Sequence, residues 1–335
     1  MKVFFEKLYE HHLSAFKTLH LPMKGFPQDP RPLLTSDEKK KILTLIASEG
    51  AVAAEKFNGY VEDLVIGQSI HAALGLKDRL YAPNLMVLLA KGVNGIQEEV
   101  DALATELDDN GAESLKGWLH YIRFEKTTEK MYEQGIRDQG REGRDLCSFL
   151  QHSSAKKAQL SESHVVALRL YTSPVFRYIN DPLRDQHRYE EKKACLLPAT
   201  TFWADEAIKQ LRAINSDLPL GTPTTLWRGM QNRKVDPGFL LRGGTELAFL
   251  STTSDLHVAV RYSLSRASLF YKVIASNFLS AGVDVEWISV FPSEREKVYP
   301  PLTFLEPTGR SECLSAVREG KDLTITIVEV RPTIC

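Results

Sequence analysis

Phe291-Pro292-Ser293-Glu294-Arg295-Glu296-Lys297-Val298-Tyr299-Pro300-Pro301 sets two carboxylates two positions apart, ahead of an aromatic residue and a proline pair. Read as an extended strand, side-chain alternation points Glu294 and Glu296 one way and Arg295 and Lys297 the other. Two like charges this close repel unless a cation comes between them or one of them holds a proton. Such a pair is unfavourable to bury idly and useful where positive charge develops during a reaction. Taken alone, the stretch also reads as a solvated hairpin edge whose alternating Glu and Lys discourage aggregation. The surrounding sequence decides between the two.

After Gly221-Thr222-Pro223 the sequence turns to short β-branched or aromatic segments separated by turn residues, which predicts strands at 226–230, 247–252, 270–274, 298–305 and 323–330. A single helical stretch, 255–263, interrupts them. Strands grouped after helices, rather than alternating with them, indicate an α+β fold whose mainly antiparallel sheets pack against flanking helices. A dinucleotide fold would need βαβ units and a glycine fingerprint, and neither occurs in the sequence. Upstream the pattern is helical. Thr35-Ser36-Asp37-Glu38 has the form of a capping box, Ile42, Leu45 and Ile46 follow at helical spacing, and Gly50 supplies a stop. Similar periodicity runs through 51–66, 85–90, 96–107 and 115–132. Ser161-Glu162-Ser163 opens a helix with Ala167, Leu170 and Tyr171 on one face, and 202–214 buries Ala204, Ala207, Ile208 and Leu211. Residues 1–34 read as a short helix and an extended connector containing Pro22, Pro27, Pro30 and Pro32. The glycine-bearing break Gln139-Gly140-Arg141-Glu142-Gly143-Arg144 divides the chain into a helical domain of unknown role, 1–145, and a second domain, 146–335.

The 335 residues suit two domains, or one large domain with an appendage. A net charge of −1 with no long basic run excludes general binding to nucleic acid or to a membrane surface. No stretch approaches the roughly 20 apolar residues of a spanning helix. The start, Met1-Lys2-Val3-Phe4-Phe5-Glu6-Lys7-Leu8, breaks its apolar run with charges and lacks a signal-peptide core. Cys147, Cys195, Cys313 and Cys335 are scattered without metal-ligand or disulfide spacing, and His71 and His120 have no partner at ligand spacing. No metal is expected; a reducing cytoplasmic compartment is, and a protein exported by a route needing no N-terminal signal would look the same.

Two further pieces carry chemistry. Thr225-Leu226-Trp227-Arg228-Gly229-Met230 is a strand with an arginine beside a glycine. An arginine fork suits a phosphate or pyrophosphate, and glycine allows close backbone approach. Phe249-Leu250-Ser251-Thr252-Thr253 is a strand ending in three hydroxyls, which can bond to a sugar or tie neighbouring strands together.

In this order, the aromatic-Arg-Gly strand, the hydroxyl strand and the Glu-x-Glu stretch resemble the arginine-type mono-ADP-ribosyltransferases, a family with vertebrate surface enzymes and bacterial toxins. Ala167-Leu168-Arg169-Leu170-Tyr171-Thr172, Tyr178-Ile179-Asn180, Leu183-Arg184, Gly282-Val283-Asp284-Val285 and the closing strand at 325–330 fit the same pattern. The resemblance covers the C-terminal half and implies there a domain of two packed, mainly antiparallel sheets with flanking helices. Thr253 stands where the pattern has serine, and Lys297 where an aliphatic residue is commoner.

The resemblance implies transfer of ADP-ribose from NAD, consumed as co-substrate, to an arginine of a protein acceptor. It implies Glu296 as the carboxylate that stabilises the ribose cation and Glu294 as the one that meets the acceptor guanidinium. Arg228 would hold a phosphate, Gly229 the nicotinamide amide, and Ser251 the ribose and Glu296, with Thr252 and Thr253 beside them. Tyr262 is the candidate to stack on nicotinamide, against a reading as a packed core tyrosine, and Tyr171 is a candidate pocket wall. An NAD glycohydrolase with water as acceptor and a silent interaction module are the competing readings.

Overall fold

The computed structural model describes residues 32–48, 64–66, 76–214, 223–277, 280–318 and 320–334. The chain forms two units, Met1–Leu33 and Leu34–Cys335. Only residues 32 and 33 of the first are described, so the expected helix and connector there lie outside the described residues, as does the stop at Gly50.

In the second unit the α+β class holds. The strands are β1 (Leu64–Ile66), β2 (Lys130–Tyr132), β3 (Gly135–Arg137), β4 (Thr224–Met230), β5 (Gly244–Glu246), β6 (Leu250–Thr253), β7 (Ala267–Ala275), β8 (Val283–Asp284), β9 (Glu296–Tyr299), β10 (Thr303–Arg318) and β11 (Lys321–Thr333). Among the described residues, nine form one sheet in the order β1-β5-β10-β11-β7-β4-β6-β9-β8, and β2 and β3 form a separate hairpin. All pairings are antiparallel except β11 with β7. The β6-β9-β8 end is joined to the rest by one residue pair, Trp227 with Thr253. The two expected sheets are therefore halves of one strand order, and the junction falls between the arginine strand and the hydroxyl strand.

Several local expectations shift. The 115–132 helix ends at Phe124, and 130–132 is a strand. Residues 64–66, within the helical stretch expected at 51–66, instead pair with β5; positions 51–63 lie outside the described residues. The strand expected at 298–305 is two, because Pro300 and Pro301 lack amide donors and Leu302 turns the chain at φ 66 before β10. The capping box is present: Glu38 N donates to Thr35 Oγ1 at 3.1 Å and Thr35 N to Glu38 Oε2 at 2.8 Å.

Helices on both sides of position 145 share a core. Leu80, Ile96, Leu119 and Ile122 belong to the same buried cluster as Val166, Leu170, Ile208 and Val298. The helix Pro198–Ala213 begins with proline and is capped from outside by Glu99, which accepts from Ala199 N at 2.7 Å and Thr200 N at 2.6 Å. Burial pushes the Glu99 carboxyl up to about 7 despite these bonds. A second cluster, including Leu226, Leu250, Tyr271, Tyr299 and Val330, fills the space between the sheet and the helix Pro237–Arg242 through Phe239.

Candidate active site

The loop ahead of Glu294 is held by charged and polar groups from two other segments, 138–141 and 169–172, with Tyr121 bonded behind them. Asp138 and Arg169 are almost fully buried and form a two-pronged pair, with Nη1–Oδ1 3.1 Å and Nη2–Oδ2 2.8 Å. Tyr121 Oη donates to Asp138 Oδ2 at 2.8 Å, and Arg169 Nη1 also donates to the Ile288 carbonyl at 3.0 Å. Arg141 Nη1 reaches the Ser289 carbonyl at 2.7 Å, Asp138 N the Val290 carbonyl at 2.7 Å, and Val290 N donates to Thr172 Oγ1 at 3.0 Å. A loop clamped on so many sides presents the acidic segment beyond it in one geometry.

That acidic segment departs from the strand expected at 294–296. Pro292–Glu294 is a turn of 3₁₀ helix, Arg295 is left-handed at φ 47, and β9 starts at Glu296. The two acids share a cleft because the backbone reverses between them, not because strand alternation brings them round. Lys297 points elsewhere and pairs with Asp284 at 2.8 Å.

One cleft is lined by Arg228, Gly229, Ser251, Thr252, Thr253, Tyr262, Glu294 and Glu296, all named from the sequence, and by Tyr171. Arg228, in β4, donates from Nη1 to the Ser251 carbonyl at 3.0 Å, across the sheet junction. The Gly229 Cα lies under the helix Leu256–Ser263, where an added Cβ would meet the Ala259 carbonyl oxygen at 1.9 Å. Helix approach is thus one reason for glycine there, in addition to any ligand. Thr252 Oγ1 donates to the Lys297 carbonyl at 2.8 Å and Thr253 Oγ1 to the Glu294 carbonyl at 2.7 Å. These two hydroxyls lace β6 to the acidic segment.

Glu296 is buried, and burial together with the charge of Glu294 pushes its carboxyl up to about 8, while the Ser251 hydroxyl and the Arg228 charge pull the other way. Glu294 is also raised, chiefly by burial, with Tyr262 and Arg261 opposing. Tyr262 Oη donates to Glu294 Oε1 at 2.6 Å. Tyr262 is 40% exposed, so the packed-core reading of this residue does not hold. The apolar walls are Tyr171, Trp227, Val258 and Phe291.

Gln134, Ser173, Phe176, Asn180 and Arg184, to which no sequence motif gives a role, also line the cleft. Asn180 and Arg184 lie in segments that match the resemblance. Asn180 Oδ1 accepts from Phe249 N at 3.2 Å, and Arg184 forks onto Glu246 at 3.1 and 3.2 Å. Gln134 carries no sequence signal, since it sits in the β2–β3 turn and reaches the cleft only through folding. Among the described residues no group of acids, histidines and cysteines could hold a metal. No described helix is long and apolar enough to cross a membrane.

The sequence model of the NAD:arginine ADP-ribosyltransferase family matches residues 120–317, more than half of the chain. The chain belongs to that family, whose reaction class is NAD-dependent ADP-ribosyl transfer. Solved structures with a similar fold include the ADP-ribosyltransferase HopU1 of Pseudomonas syringae pv. Tomato DC3000, at 18% identity over 56% of this chain and 88% of that one, with a TM-score of 0.38. A mutant of the eucaryotic mono-ADP-ribosyltransferase ART2.2 in complex with NADH is 13% identical over 72% of this chain and 88% of that one, with a TM-score of 0.41. An ADP-ribosyltransferase from Clostridium botulinum is 17% identical over 53% of this chain and 91% of that one, with a TM-score of 0.35. No curated protein matches the chain.

Proposed function

We propose that this protein transfers ADP-ribose from NAD to the guanidinium of an arginine on a protein acceptor and releases nicotinamide. The observation that supports it most is that Glu294 and Glu296 line one cleft with Arg228 and Ser251. Breaking the bond between nicotinamide and ribose leaves positive charge on the sugar, as in glycoside hydrolysis. Glu296, bonded to a ribose hydroxyl and steadied by Ser251, stabilises that charge as a carboxylate; preorganised stabilisation of this kind is commonly the largest catalytic contribution. Its raised pKa keeps it largely protonated in the free protein near neutral pH. The positive nicotinamide ring then favours the ionised form as the donor enters. Arg228 takes a donor phosphate, and the Gly229 backbone takes the nicotinamide amide. Thr252 and Thr253 hold the strand that carries Ser251, and Tyr262 flanks the nicotinamide. Glu294 orients the acceptor guanidinium and receives its proton.

We also propose that the division at 145/146 is one of role rather than of core: the segment before it braces the acidic loop through Tyr121, Asp138 and Arg141. A reducing cytoplasmic location is proposed from Cys147, Cys195 and Cys313, which are free thiols.

A second reading, hydrolysis of NAD by water, is favoured by one observation: Glu294 Oε1 already accepts from Tyr262 and faces Arg261, so the acceptor carboxylate is engaged. Labelled NAD, incubated with agmatine and with arginine-bearing proteins while nicotinamide release is followed, separates the two. Label on a guanidino acceptor supports transfer. Nicotinamide release without such label leaves hydrolysis, and the absence of both removes the site reading altogether.

A further inference from the structure

Glu294, the carboxylate assigned above to the acceptor, faces a guanidinium that belongs to the protein itself. Arg261 Nη2 lies 3.4 Å from Glu294 Oε1, and the same nitrogen donates to the Gln134 carbonyl at 2.8 Å. Arg261 precedes Tyr262 on the helix Leu256–Ser263, and the Tyr262 hydroxyl bonds to the same carboxylate oxygen. The Arg261 side chain is 34% exposed and that of Glu294 13%. Arg261 lines a second cleft with Asp255, His257, Ser293 and Arg295, and Val258 is common to both clefts. The Arg261–Glu294 contact thus spans the wall between the cleft holding Glu296 and its neighbour.

A carboxylate that recognises one guanidinium recognises another by the same charge and hydrogen-bond geometry. We propose that Arg261 is a built-in stand-in for the acceptor arginine: it engages Glu294 until an incoming guanidinium displaces it, and so sets how tightly, and how selectively, acceptors bind. This rests on the arginine-transfer reading above. The anchor on the Gln134 carbonyl gives Arg261 a second partner to retain when it swings away from Glu294, so displacement need not unfold the helix that carries it. An acceptor that brings only a guanidinium gains little over the resident one, whereas an acceptor that also fills the second cleft gains contacts Arg261 cannot supply. The arrangement therefore favours protein acceptors over small guanidino compounds.

The test is steady-state transfer from labelled NAD to agmatine by the full chain, comparing the parent with R261Q and R261K. For R261Q the expected result is an acceptor KM lowered roughly three- to five-fold, the scale of one half-exposed ion pair, with the KM for NAD moving less. R261K, which keeps a cation at the site, should lie near the parent. An acceptor KM that is unchanged or raised in R261Q overturns the proposal, provided its thermal unfolding matches the parent. If the parent itself labels no guanidino acceptor, the arginine-transfer reading fails and this inference with it. If the parent labels agmatine and the KM does not fall, only this inference fails.

Discussion

Glu296→Gln should abolish catalysis and at the same time stabilise the protein at alkaline pH. The carboxyl is buried, and burial with the neighbouring Glu294 charge raises it from 4.5 to about 8. At about 1.4 kcal/mol per pH unit, holding Glu296 ionised in the fold costs roughly 5 kcal/mol relative to the unfolded chain. The sign follows from a raised folded-state pKa: the favourable contribution of the protonated group is complete below about pH 4.5 and is lost as pH rises through about 8. Glutamine keeps the shape without the charge. The two proteins should therefore melt nearly together near pH 5, separate progressively between about pH 5 and 8, and keep a constant gap above that, the variant ending about 10 °C higher at roughly 2 °C per kcal/mol. In the parent, kcat/KM for nicotinamide release should rise about tenfold per pH unit below about 8, because the working form is the carboxylate. The variant should lose at least about a hundredfold in both transfer and hydrolysis, since cation stabilisation serves both. Calorimetry across pH and a nicotinamide-release assay read these effects. Melting curves that stay parallel from pH 5 to 9, or parental NAD turnover in the variant, would refute the assignment.

Glu294→Gln should depress transfer to agmatine while sparing a measurable part of NAD hydrolysis, because water needs no guanidinium clamp; equal loss of both in a product assay counts against the split roles. Arg228→Ala should weaken NAD binding by about tenfold or more, the scale of one charge-assisted contact, and a calorimetric titration with unchanged affinity removes Arg228 from the donor site. Gly229→Ala places a methyl 1.9 Å from the Ala259 carbonyl oxygen. It should cost about 1–3 kcal/mol of stability and displace the helix bearing Tyr262; an unaltered melting temperature with full activity shows that the helix does not need the close approach.

The separate legibility of each motif has a local cause. Capping at Thr35 and Glu38 depends on four neighbouring residues, and the structure forms both reciprocal bonds. The strand character of β4, β6 and β7 follows from runs of β-branched and aromatic side chains, and their positions are close to those expected. Arg228, Ser251, Glu294 and Glu296 stand out because their order along the chain matches a known pattern, and the fold brings all four to one cleft. The split of the expected 298–305 strand is signalled by Pro300-Pro301, whose missing amide donors interrupt a ladder that the flanking residues would otherwise continue.

Other features depend on partners remote in sequence. Gln134 enters the cleft only because the β2–β3 hairpin folds against the acidic turn. The buried network of Tyr121, Asp138, Arg169 and Ile288 joins residues more than 100 positions apart, Arg169 and Ile288 being separated by 119, beyond the reach of any local pattern. The face shared by Glu294 and Glu296 is expected from strand alternation but arises from the left-handed turn at Arg295. The chain alone determined which chemical groups are available and roughly which segments are extended or helical, because those properties depend on side-chain type and short-range spacing. Which groups are desolvated together, which are already engaged by neighbours, and hence the raised pKa of Glu296 and the contact of Arg261 with Glu294, were determined by long-range packing. Burial and charge proximity exist only once distant segments meet.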